Sequence, residues 1–193
     1  MKTKAVHVGL AALWWACAGI AWAQASPAAG AKTQACPVLL DKTVLRLQDE
    51  KPQSLCQYAG KVVLVVNTAS RCGYTGQYAG LEALYGRLQG RGLVVLGFPS
   101  NDFAQEPGSA REIADFCANT FGVRFPMFSK TVVRGPQASP LYADLTQATG
   151  VAPGWNFHKY LIARDGRTVK AYSSQIAPDD PRLLRDIEQA LAK

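Results

Sequence analysis

The sequence predicts an α/β fold with a central mixed β-sheet flanked by helices, and three observations lead there. Lys61-Val-Val-Leu-Val-Val-Asn67 and Gly92-Leu-Val-Val-Leu-Gly-Phe98 are continuous apolar runs, as strands buried on both faces require. Between them Leu81, Leu84, Tyr85 and Leu88 recur at three- and four-residue steps, so the connection is a helix and the unit a parallel βαβ. Further on, Lys159-Tyr-Leu-Ile162 and Thr168-Val-Lys-Ala-Tyr172 flank an Arg-Asp-Gly turn and read as an antiparallel hairpin.

The remaining elements follow in chain order. Thr43-Val-Leu-Arg-Leu47 alternates like a strand before a polar turn at Gln48 to Pro52. The first helix ends near Gly90 and Gly92. Ser109-Ala-Arg-Glu112 is a capping box that opens a second helix running through Ile113 and Phe116. Asp180 as N-cap and Pro181 at the first helical position start a terminal helix, with Leu184, Ile187, Ala190 and Leu191 on its apolar face. A βαβ unit followed by a helix, a hairpin and a terminal helix is the order of a thioredoxin-like fold. That order assigns no function by itself.

The 193 residues suffice for one domain with a proper core. The first stretch is expected to lie outside it. Lys2 and Lys4 precede an apolar run from Val8 to Trp22 that ends in Ala21-Trp-Ala23, the layout of a secretory signal cleaved after Ala23 or Ala25. The run is short of the ~20 apolar residues a membrane span needs, so no stable membrane insertion is expected after cleavage. Cys17 as a lipidated residue is disfavoured by Trp14, which sits where such signals want Leu. Residues 1–23 read as a signal peptide, 24–35 as a flexible Ala-, Gly- and Pro-rich linker, and 36–193 as the folded domain. Loss of 1–23 removes two lysines and no acidic residue, lowering the net charge from +7 to +5. No arginine-rich stripe accompanies that charge, which argues against nucleic-acid binding.

Four cysteines stay with the domain: Cys36, Cys56, Cys72 and Cys117. Export to the periplasm places them where disulfides persist, and four cysteines allow three pairings. Cys72 lies just past the carboxyl end of the first parallel strand, where ligands bind in open α/β sheets. A thiol ahead of a helix also faces unpaired backbone N–H groups that favour thiolate. An inert buried cysteine fits that position equally well.

The wider pattern decides between these. Val66-Asn-Thr-Ala-Ser-Arg-Cys-Gly-Tyr-Thr75, Gly97-Phe-Pro-Ser-Asn-Asp-Phe103, Gln105-Glu-Pro-Gly108 and Trp155-Asn-Phe157 together resemble the glutathione peroxidase family in its cysteine form, over nearly all of the domain. The resemblance implies a catalytic tetrad of Cys72, Gln105, Trp155 and Asn156. The residue types agree with it, because amide and indole N–H groups are neutral donors able to stabilise a sulfur anion and to polarise a peroxide oxygen. It further implies that Cys117 resolves the Cys72 sulfenic acid, and that no cofactor is needed. Cys36 and Cys56 then remain as a structural disulfide, with Cys56 as resolver the competing assignment. By resemblance the chain is a monomer or weak dimer in antioxidant defence, reduced by a thioredoxin-like protein or glutathione.

Departures from the family also carry information. Ser100 stands where many members have Cys, Gly76 where Pro is common, and the Phe103-Ala-Gln105 stretch is one residue short. The stretch from Thr131 to Gly154 is too short for the insert of the tetrameric selenium enzymes. Two other chemistries are weaker. A thiol–disulfide oxidoreductase wants Cys-x-x-Cys, and position 75 is Thr. A copper chaperone needs a second thiolate near Cys72 and a placed histidine. With His158 the one histidine of the domain, read as a structural residue at a strand start, no metal site is expected.

Overall fold

The computed structural model describes residues 35–193 and the isolated positions Lys2 and Ala5. Apart from Lys2, Ala5 and residue 35, the leader and linker expected from the sequence lie outside the described residues. A small antiparallel hairpin comes first, formed by β1 (Thr43–Leu45) and β2 (Pro52–Ser54). The main sheet follows with β3 (Val62–Thr68), α1 (Gln77–Leu88), β4 (Leu93–Pro99), α2 (Ala110–Phe121) and α3 (Pro140–Thr149). It is completed by β5 (Lys159–Ile162), β6 (Val169–Tyr172) and α4 (Pro181–Leu191).

The strand order is β4-β3-β5-β6, with β3 parallel to β4 and the pairs β3–β5 and β5–β6 antiparallel. The sheet is therefore mixed and the fold thioredoxin-like. All seven residues of β3 and of β4 are buried, as their unbroken apolar runs require. Fully burying each Val or Leu contributes about 1.5–3 kcal/mol, so these strands anchor both layers. Leu64 and Val66 face a core shared with α1, α2 and α4, while Val63 and Val65 face one shared with α3. Gly97 leaves room in β4 for the side chains of Met127 and Phe125, which a Cβ there would crowd.

The helix signals act as the sequence reads. Ser109 and Glu112 exchange both capping-box bonds, and Asp180 caps α4 ahead of Pro181. Two readings need correction. In α4 the fully buried leucine is Leu183, and Leu184 is partly buried at the edge of the same core. The helix α3 was not expected. Its N-cap Ser139 makes no side-chain cap bond, but Pro140 at N1, Gly150 at the end, and buried Leu141, Tyr142 and Leu145 are its sequence marks.

Candidate active site

Beyond β3 the chain turns back on itself to carry Cys72. Thr75 Oγ1 donates to the Ala69 carbonyl at 2.9 Å and accepts the Cys72 N–H at 3.0 Å, closing a tight loop. The Tyr74 N–H then donates to Cys72 Sγ at 3.3 Å. The thiol is 9% exposed. Sequence reasoning placed Cys72 at a helix start, but α1 begins five residues later at Gln77. Gly73 and Gly76 lower helix propensity here, so residues 72–76 form turns that lead into α1 through Gln77 N–H to Tyr74 O at 2.8 Å. The anion-favouring donor is thus one turn amide.

A second segment is tied to this loop by backbone. The Arg71 N–H donates to the Gln105 carbonyl at 3.1 Å. Ser70 donates to Glu106 Oε2 through both its N–H, at 2.8 Å, and its hydroxyl, at 2.9 Å. Glu106 is 1% exposed, and burial pushes its carboxyl above the ordinary range despite these bonds. A third segment comes from the approach to β5. Asn67 of β3 clamps it, donating from Nδ2 to the Trp155 carbonyl at 3.1 Å and accepting the Phe157 N–H at 2.6 Å. Asn156 is fully buried, and its Nδ2 donates to Gln105 Oε1 at 3.0 Å.

Trp155 is 42% exposed and packs at 5.2 Å on Phe103, over which Arg134 sits at 4.8 Å. With Tyr74, His158, Ser173 and Ser174 it lines an open cleft of 420 Å³. His158 is buried, and its ring packs at a tilt against Tyr160 with centroids 4.7 Å apart. Burial holds its pKa down to about 4, so it is neutral at physiological pH.

The structure thus brings the Gln105, Trp155 and Asn156 segments to the Cys72 loop, with Asn156 and Gln105 bonded to each other. Among the described residues, none of these three side chains donates a hydrogen bond to Cys72 Sγ. Cys117 lies on α2, 2% exposed, in the same apolar cluster as Cys72, and both thiols are free. Burial pushes the Cys117 thiol up to about 11; a nearby Tyr78 hydroxyl opposes this and the Glu106 charge adds to it. Cys36 and Cys56 are joined in a disulfide with Cα atoms 5.2 Å apart. Asp41 lies beside their sulfurs, but a disulfide offers no thiolate to a metal. Sequence reasoning missed the roles of Thr75, Glu106 and Lys159. The signal for Lys159 was a lone charge at the head of the apolar run that makes β5.

The glutathione peroxidase family profile matches residues 40–146. The hydroperoxy fatty acid reductase gpx1 of Synechocystis is 47% identical over 157 residues, covering 74% of this chain and 90% of that protein. The thioredoxin/glutathione peroxidase BtuE of Escherichia coli is 42% identical over 176 residues, covering 78% and 96%. Among solved structures, T. cruzi GPX1 superposes with a TM-score of 0.63 at 31% identity, covering 80% of this chain and 96% of its own. A thioredoxin family thiol:disulfide interchange protein from Chlorobium tepidum, at 16% identity and a TM-score of 0.58, shares the fold alone. Profile, relatives and site segments agree that this chain belongs to the glutathione peroxidase family of peroxidases.

Proposed function

We propose that the chain is an exported thiol peroxidase that reduces hydrogen peroxide and organic hydroperoxides through Cys72. The thiolate sulfur attacks one peroxide oxygen and the O–O bond breaks. The sulfur is oxidised to sulfenic acid, and the departing oxygen takes a proton and leaves as water or alcohol. Gln105, Trp155 and Asn156 supply neutral N–H donors as negative charge develops on that oxygen. Cys117 then attacks the sulfenic sulfur, water leaves, and a Cys72–Cys117 disulfide forms. An external thiol, from a thioredoxin-like protein or glutathione, reduces it again.

The observation that supports this reading is the free Cys72 thiol in a loop to which the Gln105 segment is tied. The Arg71 N–H binds the Gln105 backbone, while the Gln105 side chain accepts from Asn156. The names of the relatives, a hydroperoxy fatty acid reductase and a thioredoxin/glutathione peroxidase, support the substrate and reductant classes. Export to the periplasm rests on the leader reading of residues 1–23. Among the described residues, no helix is long and apolar enough to cross a membrane. The oxidoreductase alternative is disfavoured because Thr75 occupies the place of a second thiol and its hydroxyl is committed to Ala69 and Cys72. The test is peroxide consumption by the reduced protein against Cys72→Ser. Loss of more than about 99% of the rate is expected, and an unchanged rate overturns the assignment.

A further inference from the structure

Lys159 opens β5 with its side chain fully buried. Its Nζ donates to Gln77 Oε1 at 2.6 Å and to the Phe157 carbonyl at 2.7 Å. Both partners are neutral oxygens. Burial alone, with no carboxylate contribution, pushes its pKa down to about 7. An ammonium enclosed without a counter-charge is expensive, and an apolar side chain of similar size would serve the core better. Such a group calls for a role beyond packing.

Its contacts reach both halves of the site. Gln77 is the first residue of α1, and its N–H holds the Tyr74 carbonyl at 2.8 Å. The Tyr74 N–H in turn donates to Cys72 Sγ. Gln77 Nε2 also donates to the Ser174 carbonyl at 2.7 Å, on the wall of the Trp155 cleft. On the other side, Phe157 follows Asn156 in a left-handed conformation, φ +64°, which a non-glycine residue adopts only when its surroundings hold it there. We propose that Lys159 is a positioning residue for the Cys72 site. Its buried ammonium bridges the turn that carries the thiol to the turn that carries Trp155 and Asn156, and it presents positive charge on the face where the thiolate forms.

The register supports that face assignment. Lys159 pairs with Val66 of β3 and Tyr172 of β6, whose side chains lie in the same cluster as Cys72. Among the described residues, the titratable groups on or beside this face are Cys72, Tyr74, Tyr78 of α1, Cys117 of α2, Glu106, whose charge acts on Tyr78 and Cys117, and Tyr172, whose hydroxyl is bound to Asp186 of α4 at 2.6 Å. His158 adjoins Lys159 and is neutral near pH 7. Raising the pH through about 7 therefore discharges Lys159 while leaving the hydrogen-bonded scaffold in place.

The inference rests on Cys72 being the reactive thiol, but its test does not require peroxide chemistry. The reduced full chain and its Lys159→Met variant are alkylated with iodoacetamide from pH 5.5 to 9, and modification is read at the Cys72 peptide by mass spectrometry. The parent should react about tenfold faster than the variant below pH 6.5, the equivalent of one pKa unit at the thiol. The ratio should fall toward one above pH 8. A ratio of one throughout, or a constant ratio at every pH as a purely structural role gives, overturns the proposal. If Lys159→Met lacks a native circular dichroism spectrum, Lys159→Gln replaces it and the same ratio decides. Failure of the peroxidase reading shows separately, as peroxide consumption that survives Cys72→Ser.

Discussion

In the proposed cycle Cys117 leaves the docked position of α2 to resolve Cys72, and the hold on that helix begins at its cap. Ser109 Oγ accepts the Glu112 N–H at 3.3 Å and donates to Glu112 Oε2 at 2.8 Å, while the Ser109 N–H donates to Oε2 at 2.7 Å. Ser109→Ala deletes the hydroxyl contacts and should weaken α2 by about 1 kcal/mol. The apolar contacts of Ile113 and Cys117 are untouched, so the helix still docks. Because 1.4 kcal/mol is a factor of ten, the opened population should rise about fivefold. Formation of the Cys72–Cys117 disulfide should accelerate by the same factor if local opening of α2 precedes it. Oxidation of Cys72 itself needs no opening and should change by less than about twofold. Stopped-flow fluorescence with acid quench and alkylation separates the two phases after one equivalent of peroxide. A resolving rate unchanged in a variant whose melting temperature has dropped would refute helix opening as the gate.

Three further outcomes follow from the same structure. Replacing Cys36 and Cys56 by serine opens a loop of 20 residues. This should cost about 3 kcal/mol and lower the melting temperature by roughly 6–12 °C in calorimetry, with peroxide still consumed. Lys159 has a folded pKa of about 7 against an ordinary 10.5, so above pH 7 the unfolded chain binds the extra proton. Stability to urea should therefore be flat in this group below pH 7 and rise by about 2 kcal/mol between pH 7 and 9. That rise should vanish in Lys159→Met. Above pH 9 the raised Cys117 thiol works in the opposite sense, because there the folded chain holds the extra proton. Trp155→Phe keeps a ring against Phe103 but removes the indole N–H. Steady-state kinetics should show the peroxide rate falling roughly 10–100-fold, with little change in melting temperature for so exposed a side chain.

The elements that the sequence foretold are those whose signals are local. The unbroken apolar runs placed β3 and β4 to within one residue, and the Ser109–Glu112 box and the Asp180-Pro181 pair placed two helix starts. The helix α3 was not foretold although Ser139-Pro140 and Gly150 mark its ends, because Leu141, Tyr142 and Leu145 alone give it a buried face and make too short an apolar period to read. Leu183 and Leu184 are adjacent, and which of them faces the core depends on a helical phase that only packing fixes. In the site, Cys72 was visible from its place beyond a buried strand, whereas Gln105, Trp155 and Asn156 entered through family likeness. Their union depends on contacts such as Asn156 to Gln105, 51 residues apart, which no local pattern encodes. Lys159 is the extreme case, since its partner Gln77 lies 82 residues away.

The measurement that bears most directly on the account is mass mapping of disulfides in the reduced chain after one equivalent of hydrogen peroxide, with Cys36–Cys56 left intact. A new Cys72–Cys117 link beside an unchanged Cys36–Cys56 link is the predicted result. A Cys72–Cys56 link, or oxidation that leaves Cys72 as a free thiol, contradicts the account.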